Sequence, residues 1–142
     1  MTPRISVFNR QRTTRVHIAT LRDFAQSALA ECLKQPGRKS GQLSRLEEVD
    51  VALVSDKRIA EIHRQFMNDP SPTDVITFQH GEIVVSVETA KRQAREFGTS
   101  LDHELRLYVA HGLLHLHGFD DKTAAGAAEM KHIQERIVAK AS

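Results

Sequence analysis

The chain has 142 residues, of which 40% are apolar and 27% are charged, and its net charge is +2 at pH 7. This composition excludes a largely disordered chain and a strongly basic nucleic-acid tail, and the length predicts one domain over residues 1–142. No apolar run approaches the ~18 residues of a membrane span, and the first residues lack the apolar segment of a secretion signal. Cys32 is the only cysteine, which excludes an intrachain disulfide and favours a cytoplasmic protein.

A strand and a long helix are predicted first. Apolar and polar residues alternate over 5–7, and apolar residues then recur at helical spacing from Leu21 to Cys32. Pro36 ends that helix and opens a basic loop. A second strand is predicted over residues 49–53, where apolar and polar residues alternate again.

A second helix and a hairpin are predicted next. Ser55 is placed to cap this helix. Its buried face is predicted to consist of Ile59, Ile62 and Phe66. Pro70 and Pro72 then break the chain. The β-branched runs at 75–78 and 83–87 are separated by four residues, which predicts a β-hairpin.

Three helices are predicted to complete the chain. The first runs from about Glu88 to Gly98, and Thr99 with Asp102 has the spacing of a capping box for the second. The second reaches Gly118, and the third is amphipathic. Its predicted buried residues are Met130, Ile133 and Ile137. The order β-α-β-α-β-β-α-α-α predicts an α+β domain with a small mixed sheet of four strands and about five helices.

Two histidines lie four residues apart in the most informative segment, HGLLHLHGFDD at residues 111–121. On a helix, His111 and His115 share one face, so both rings can reach one ion about 2 Å away. Gly118 is placed to end the helix in a left-handed conformation, after which the chain folds back and brings Asp121 to the same ion. Three protein ligands leave a fourth position for water, as in catalytic zinc sites. The segment therefore predicts a metal centre of the catalytic type.

Other interpretations of this segment stay open. Most histidine pairs at this spacing bind no metal, although leaving buried imidazoles without partners costs roughly 1–3 kcal/mol each. Asp121, or Asp120 beside it, would equally cap the following helix. His117 is two residues from His115 and therefore points elsewhere, to the surface or to the surroundings of the site.

The same segment resembles the signature of the YbeY family of bacterial endoribonucleases, His-Gly-x-Leu-His-Leu-x-Gly-Tyr/Phe-Asp-His, and matches all but its last residue. Residues 72–78, PTDVITF, are similar to the family's Pro-Thr-Asp-Val-Leu-Ser-Phe strand. The resemblance implies a zinc-dependent endoribonuclease of single-stranded RNA and a mixed four-stranded sheet. It also implies maturation of the 3′ end of small-subunit rRNA and ribosome quality control, with the small ribosomal subunit and its assembly factors as partners.

The chain departs from the family pattern at two positions. Asp121 stands where the family's third metal ligand is usually histidine. Aspartate is an acceptable zinc ligand, but its harder oxygen widens the candidate metals to manganese and magnesium. Met67 stands where the family has an arginine associated with RNA cleavage, and Arg64, one turn earlier, matches a different family position.

Catalysis and RNA contact also need residues outside the ligand set. His115 is assigned a catalytic role as well as a ligand role. Gly112 stands where zinc proteases have a glutamate, so a general base has to come from elsewhere, and Glu82 is the candidate. RNA phosphates need cations, and the candidates are Arg64, Lys91, Arg92 and Arg95. With six Phe, one Tyr and no Trp, base stacking is not expected to be the main mode of binding.

Two other functions also fit the sequence. A small peptidase would use a similar arrangement of metal ligands, although the missing glutamate argues against it. A non-catalytic protein that binds RNA or the ribosome would keep the metal as a structural group, and Met67 and Asp121 favour this alternative.

Overall fold

A computed structural model describes residues 2–68 and 73–142 of the chain. Within these residues, four strands and five α-helices follow one another as β1 (Arg4–Asn9), α1 (Ile18–Lys34), β2 (Glu48–Val54), α2 (Asp56–Met67), β3 (Val75–Phe78), β4 (Glu82–Ser86), α3 (Val87–Phe97), α4 (Leu101–Leu116) and α5 (Ala124–Ala141). The predicted fold class is confirmed. The chain break predicted at Pro70 and Pro72 lies outside the described residues. None of the described helices has the length and apolar character that crossing a membrane requires.

The four strands form one mixed sheet in the order β1-β2-β4-β3. Strands β1, β2 and β4 are parallel to one another, and β3 is antiparallel to β4. The predicted hairpin is confirmed, and its turn ends at Gly81, whose φ of 110° lies outside the range most residues adopt. Because α1 connects β1 to its parallel neighbour β2, this part of the chain is a β-α-β unit.

The sheet has a large core on one face and a smaller core on the other. Along β4, Ile83 and Val85 belong to the large core with α1, α4 and α5, whereas Val84 packs in the small core with α2. Helix α4 approaches the sheet at Gly112, where a Cβ atom would lie 2.7 Å from Cγ2 of Ile83. A residue with a side chain would clash there, so this glycine lets α4 lie directly against β4.

Two local predictions are wrong. Phe66, predicted to be buried, is 61% exposed. It lies in the last turn of α2, and its ring contacts Phe78 edge-on at a centroid distance of 5.3 Å. The cap of α4 is Ser100, whose hydroxyl accepts the backbone N–H of His103 at 3.1 Å. Thr99 instead donates its hydroxyl to the carboxylate of Glu104 at 2.8 Å, because the helix begins one residue later than the capping-box spacing assumed.

The N-termini of α2 and α3 are joined through the carboxylate of Asp56. It accepts hydrogen bonds from the hydroxyls of Ser86 at 2.6 Å and Thr89 at 2.7 Å, and from the guanidinium of Arg92 at 2.5 Å. Partial burial by itself would raise the pKa of Asp56, but these hydrogen bonds and the charge of Arg92 hold the pKa below its ordinary value of 3.8. The charged form of Asp56 therefore stabilises the fold.

Asp56→Ala is expected to lower the free energy of unfolding by about 2 kcal/mol at pH 7, because the buried hydroxyls that bond this carboxylate lose their acceptor. The stabilisation is complete above the pKa of the unfolded chain and is lost as the pH falls through the lower pKa of the folded chain. Urea unfolding at pH 7 and near pH 3 measures the difference in the free energy of unfolding between the variant and the wild type. An equal difference between variant and wild type at both pH values would contradict a role for the charge.

Candidate metal centre

The two histidines of α4 face each other through their Nε2 atoms, which are 3.0 Å apart. The Nδ1 atom of His111 lies 2.9 Å from the side-chain oxygen of Gln134, and that of His115 lies 3.1 Å from the backbone oxygen of Phe119. When both Nδ1 atoms donate their protons to these oxygens, both Nε2 atoms carry lone pairs. Two lone pairs at this distance repel each other unless they share a cation.

The carboxylate of Asp121 completes the group. Its Oδ2 atom lies 3.8 Å from Nε2 of His111, and its Oδ1 atom lies 3.9 Å from Nε2 of His115. One ligand atom from each residue lies within 4.8 Å of the others, so the three side chains could hold a metal ion. Ligand atoms around a tetrahedral zinc ion are about 3.3 Å apart, since each bond is about 2.0–2.2 Å long. The three side chains fit one metal ion after small movements, and they leave its fourth coordination position open.

The turn after α4 places Asp121. Gly118 has φ 98°, which ends the helix as predicted and turns the chain back towards the histidines. The alternative that Asp121 caps α5 is wrong, because the cap is Thr123, whose hydroxyl accepts the backbone N–H of Gly126 at 2.9 Å. Asp120 accepts the backbone N–H of Lys122 at 3.1 Å. The carboxylate of Asp121 is therefore not used in capping, and half of its side chain is exposed.

Burial lowers the pKa of His115, and the nearby His111 lowers it further, while the charge of Asp121 acts in the opposite direction. The net lowering favours the neutral imidazole near pH 7. Neutral imidazole is the form that binds a metal ion, since the protonated ring has no free lone pair.

The centre lies between two cavities that meet at His111. One cavity, of about 250 Å³, lies towards β3 and the end of α2, and Met67 and His63 are among its lining residues. The other, of about 270 Å³, lies towards α5 and is lined by Tyr108 and Lys131, among others. The position at which the family pattern has arginine thus lines the cavity next to the histidines. Among the described residues that line either cavity, Lys131 is the one Lys or Arg.

The structure does not bring Glu82 to this centre. Side chains alternate along a strand, and Ile83, the next residue, points towards α4 and the large core. Glu82 therefore lies on the opposite face of the sheet, where it lines a different cavity, and one of its carboxylate oxygens is 3.9 Å from Nε2 of His80. The sequence placed Glu82 near a turn but did not show which face it occupies.

The predicted RNA-contacting cations are exposed, but none of them lines the two cavities. Arg64 lies on α2, and Lys91 and Arg95 lie on α3. Arg92 is engaged in the ion pair with Asp56. Their role in RNA contact stays a prediction.

Sequence reasoning missed Gln134 of the centre and did not predict that His117 is buried. Gln134 lies on α5 beside Ile133, and a polar residue next to an apolar stripe was the available signal. His117 points away from the metal ligands as predicted, but it is buried, and its Nε2 lies 2.7 Å from the backbone oxygen of Gln35. It joins the end of α4 to the loop after α1.

Gln134→Ala is expected to weaken metal binding about tenfold, because residues that orient a histidine ligand typically contribute 10–100-fold to affinity. Competition with a chromophoric chelator measures the metal dissociation constant. Gln134→Glu keeps an acceptor for His111 and serves as the matched control. Unchanged affinity in the alanine variant would show that this hydrogen bond does not orient the ring for metal binding.

Comparisons with known proteins agree with the fold. Residues 6–142 match the family model described as Endoribonuclease YbeY. A protein named Endoribonuclease YbeY from Moorella thermoacetica is 41% identical over 111 residues, which cover 65% of this chain and 71% of the relative. One of the same name from Bacillus cereus (strain G9842) is 32% identical over 135 residues, covering 80% of this chain and 86% of the relative.

A protein from Thermotoga maritima with a known solution structure has a similar fold. The TM-score is 0.66 at 29% sequence identity, and the match covers 96% of this chain and 88% of the other. The family match spans the hairpin, the histidine helix and all strands except the first two residues of β1, and it includes the three residues of the candidate metal centre. The chain belongs to the Endoribonuclease YbeY family.

Proposed function

We propose that this protein is a metal-dependent endoribonuclease that cleaves single-stranded RNA in rRNA maturation, at the 3′ end of small-subunit rRNA, and in ribosome quality control. The observation that carries the proposal is the pair of Nε2 atoms facing each other at 3.0 Å with a carboxylate beside them. Family membership supplies the substrate class. The proposed partners are rRNA, the small ribosomal subunit and its assembly factors, and the proposed location is the cytoplasm.

The proposed cofactor is one zinc ion held by His111, His115 and Asp121. Two imidazoles and one carboxylate, with a fourth position open, form a ligand set used by catalytic zinc. Manganese or magnesium is the alternative, since one of the three ligands is a hard oxygen donor. When bound, the ion would polarise a phosphoryl oxygen and lower the pKa of a water molecule.

The protein's own groups would orient the ligands and attract the substrate. Gln134 and the carbonyl of Phe119 hold the two imidazole rings with their Nε2 atoms directed at one point. Met67 offers no charge to a phosphate. We assign the contact with a substrate phosphate to Lys131, which lines the cavity beside Asp121, because a lysine ammonium neutralises a phosphate as a point charge.

Cleavage of a labelled single-stranded RNA by the purified protein tests the proposal. A chelator is expected to stop cleavage, and zinc is expected to restore it better than manganese or magnesium. Salt is expected to weaken binding, because phosphate contacts release counterions. Chelator-insensitive cleavage, or no cleavage by folded, metal-loaded protein, would contradict the proposal.

A non-catalytic RNA-binding role is the second candidate, and it is favoured by the apolar Met67 beside the histidines. It predicts normal metal content and normal RNA affinity without cleavage. The same assay, combined with an RNA-binding measurement, distinguishes the two functions.

Asp121→Asn is expected to reduce metal affinity at least tenfold, because an amide oxygen is an uncharged and weaker zinc ligand than a carboxylate. Thermal stability measured without metal is expected to stay nearly unchanged, since Thr123 caps α5. Metal content by atomic spectroscopy and the melting temperature in chelator are the two measurements. Full metal occupancy in the variant would remove Asp121 from the proposed ligand set.

A further inference from the structure

The face of the sheet opposite α4 carries a groove that the metal centre does not use. Helix α2 covers only part of this face and leaves a cavity of about 510 Å³ beside it. Ala52, Val84 and Phe78 on the sheet line it, as do Ile62 and Phe66 of α2. The groove is therefore an apolar surface bounded by secondary-structure elements on two sides.

Aromatic rings are concentrated in this groove. Phe66 and Phe78 contact each other edge-on at 5.3 Å, and the His80 ring stacks on Phe78 at 5.6 Å with an interplanar angle of 22°. Phe66 is 61% exposed, so its ring is accessible to a ligand. Although aromatic residues are few in the chain, they supply a stacking surface at this place.

Charged groups of both signs lie around the aromatic rings. Arg10 and Arg58 line the groove, together with Glu82, and the guanidinium of Arg10 lies 5.3 Å from the centre of the Phe8 ring. Arg58 makes an exposed ion pair of 3.3 Å with Glu61, and such pairs contribute little and are readily exchanged. The side chain of Glu82 is 42% exposed. The groove thus offers cations for a phosphate and a carboxylate for a hydrogen-bond donor.

The groove adjoins the cavity of the metal centre. On α2, Ile62 and Phe66 line the groove, whereas His63 and Met67, each one residue further along, line the metal cavity. Strand β3 also lies between the two, because Val75, Ile76 and Thr77 line the metal cavity and Phe78 lines the groove. A single strand of RNA that passes β3 would therefore reach both surfaces.

We propose that this groove binds one unpaired nucleobase of the RNA substrate, with guanine as the best match. The proposal rests on the proposed function for the identity of the ligand. Stacking on the exposed ring of Phe66 would hold the base, with Phe78 edge-on beside it, and Arg10 and Arg58 would contact its phosphate. Guanine presents two adjacent N–H donors that match the two oxygens of Glu82. Uracil presents one donor between two carbonyl oxygens, which a carboxylate repels.

NMR titration of the isotopically labelled full-length protein with 5′-GMP and with 5′-UMP tests the inference without requiring cleavage. GMP is expected to shift the signals of Phe66, Phe78 and His80, and to bind roughly tenfold more tightly than UMP, a modest discrimination for a matched hydrogen-bonding edge. If neither nucleotide shifts these signals, or if the shifts lie elsewhere, the inference is overturned. A protein ligand would then be the remaining occupant of the groove.

Two variants of the groove and one control variant extend the test. Phe66→Ala is expected to weaken GMP binding roughly tenfold, within the range for losing one stacked base. Phe97→Ala removes a phenylalanine of equal exposure, 63% against 61%, outside the groove and is expected to have no effect. Glu82→Gln is expected to abolish the preference for GMP over UMP. Equal behaviour of the Phe66 and Phe97 variants would overturn the inference.

RNA cleavage measured in parallel distinguishes this inference from the proposed function. Chelator-sensitive cleavage without GMP binding in the groove would contradict the groove alone. Binding of GMP in the groove by a protein that cleaves no RNA would support the groove and contradict the proposed ribonuclease activity.

Discussion

His115→Ala is expected to remove metal binding and RNA cleavage together while the protein stays folded. The loss of cleavage should exceed about 100-fold, because even residues that only orient a metal ligand contribute 10–100-fold. His115 supplies one of the two facing Nε2 atoms, and without it His111 and Asp121 leave only two ligands. Helix α4 is expected to persist, since alanine is the best helix former and the histidine side chain is partly exposed.

The prediction is tested on identically purified proteins. Metal content reports metal binding, the cleavage rate reports activity, and circular dichroism reports whether the protein stays folded. His103→Ala is the matched control, since His103 is an exposed histidine on the same helix. Cleavage that persists in the His115 variant would trace the activity to another site or to a contaminating nuclease. Loss of cleavage with full metal occupancy would make His115 a catalytic residue without a ligand role.

Gly118→Ala is expected to lower the free energy of unfolding by about 3 kcal/mol or more. Its φ of 98° is strained for alanine, which costs about 1–3 kcal/mol. An added Cβ atom would also lie 2.8 Å from Cβ of Arg38 and 2.8 Å from the backbone nitrogen of Gly41. Overpacking against a backbone cannot be relieved by a rotamer change, and it adds about 1–3 kcal/mol.

Comparison with Gly98→Ala separates the cost of the steric clash at position 118 from the cost of the backbone conformation. Gly98 also ends a helix with a positive φ of 68°, but a Cβ atom there would have no neighbour within 4 Å. This variant is expected to lose only about 1–2 kcal/mol, the conformational cost alone. Urea unfolding of both variants measures the difference. Equal losses would show that the loop at residues 38–41 adapts freely to the new side chain.

The metal affinity of Gly118→Ala is also expected to fall. The turn at Gly118 positions the carbonyl of Phe119, which orients His115, and the carboxylate of Asp121. A change in stability without a change in metal affinity would show that the turn and the centre are independent.

Much of the fold follows from patterns within single segments. Alternation over 49–53 and over the hairpin, helical spacing along α1 and the stop at Gly98 are local features, and the structure has each of them within a few residues. Ser55 caps α2 as predicted, since a cap depends on backbone atoms only three residues away. Phe66 and the cap of α4 were mispredicted because spacing alone does not show where a helix turn faces solvent or which residue begins it.

Some features of the candidate metal centre also follow from local sequence, and others depend on how distant segments pack. Local sequence is enough to predict that His111 and His115 share a helix face and that the chain turns at Gly118, because helix periodicity and glycine conformation act over a few residues. The three-dimensional packing was needed to show that Gln134 of α5 orients His111, that Glu82 lies on the opposite face of the sheet, and that aromatic rings from α2 and β3 line one groove. These relations join segments distant in sequence, and they depend on how helices pack on the sheet, which no local pattern encodes.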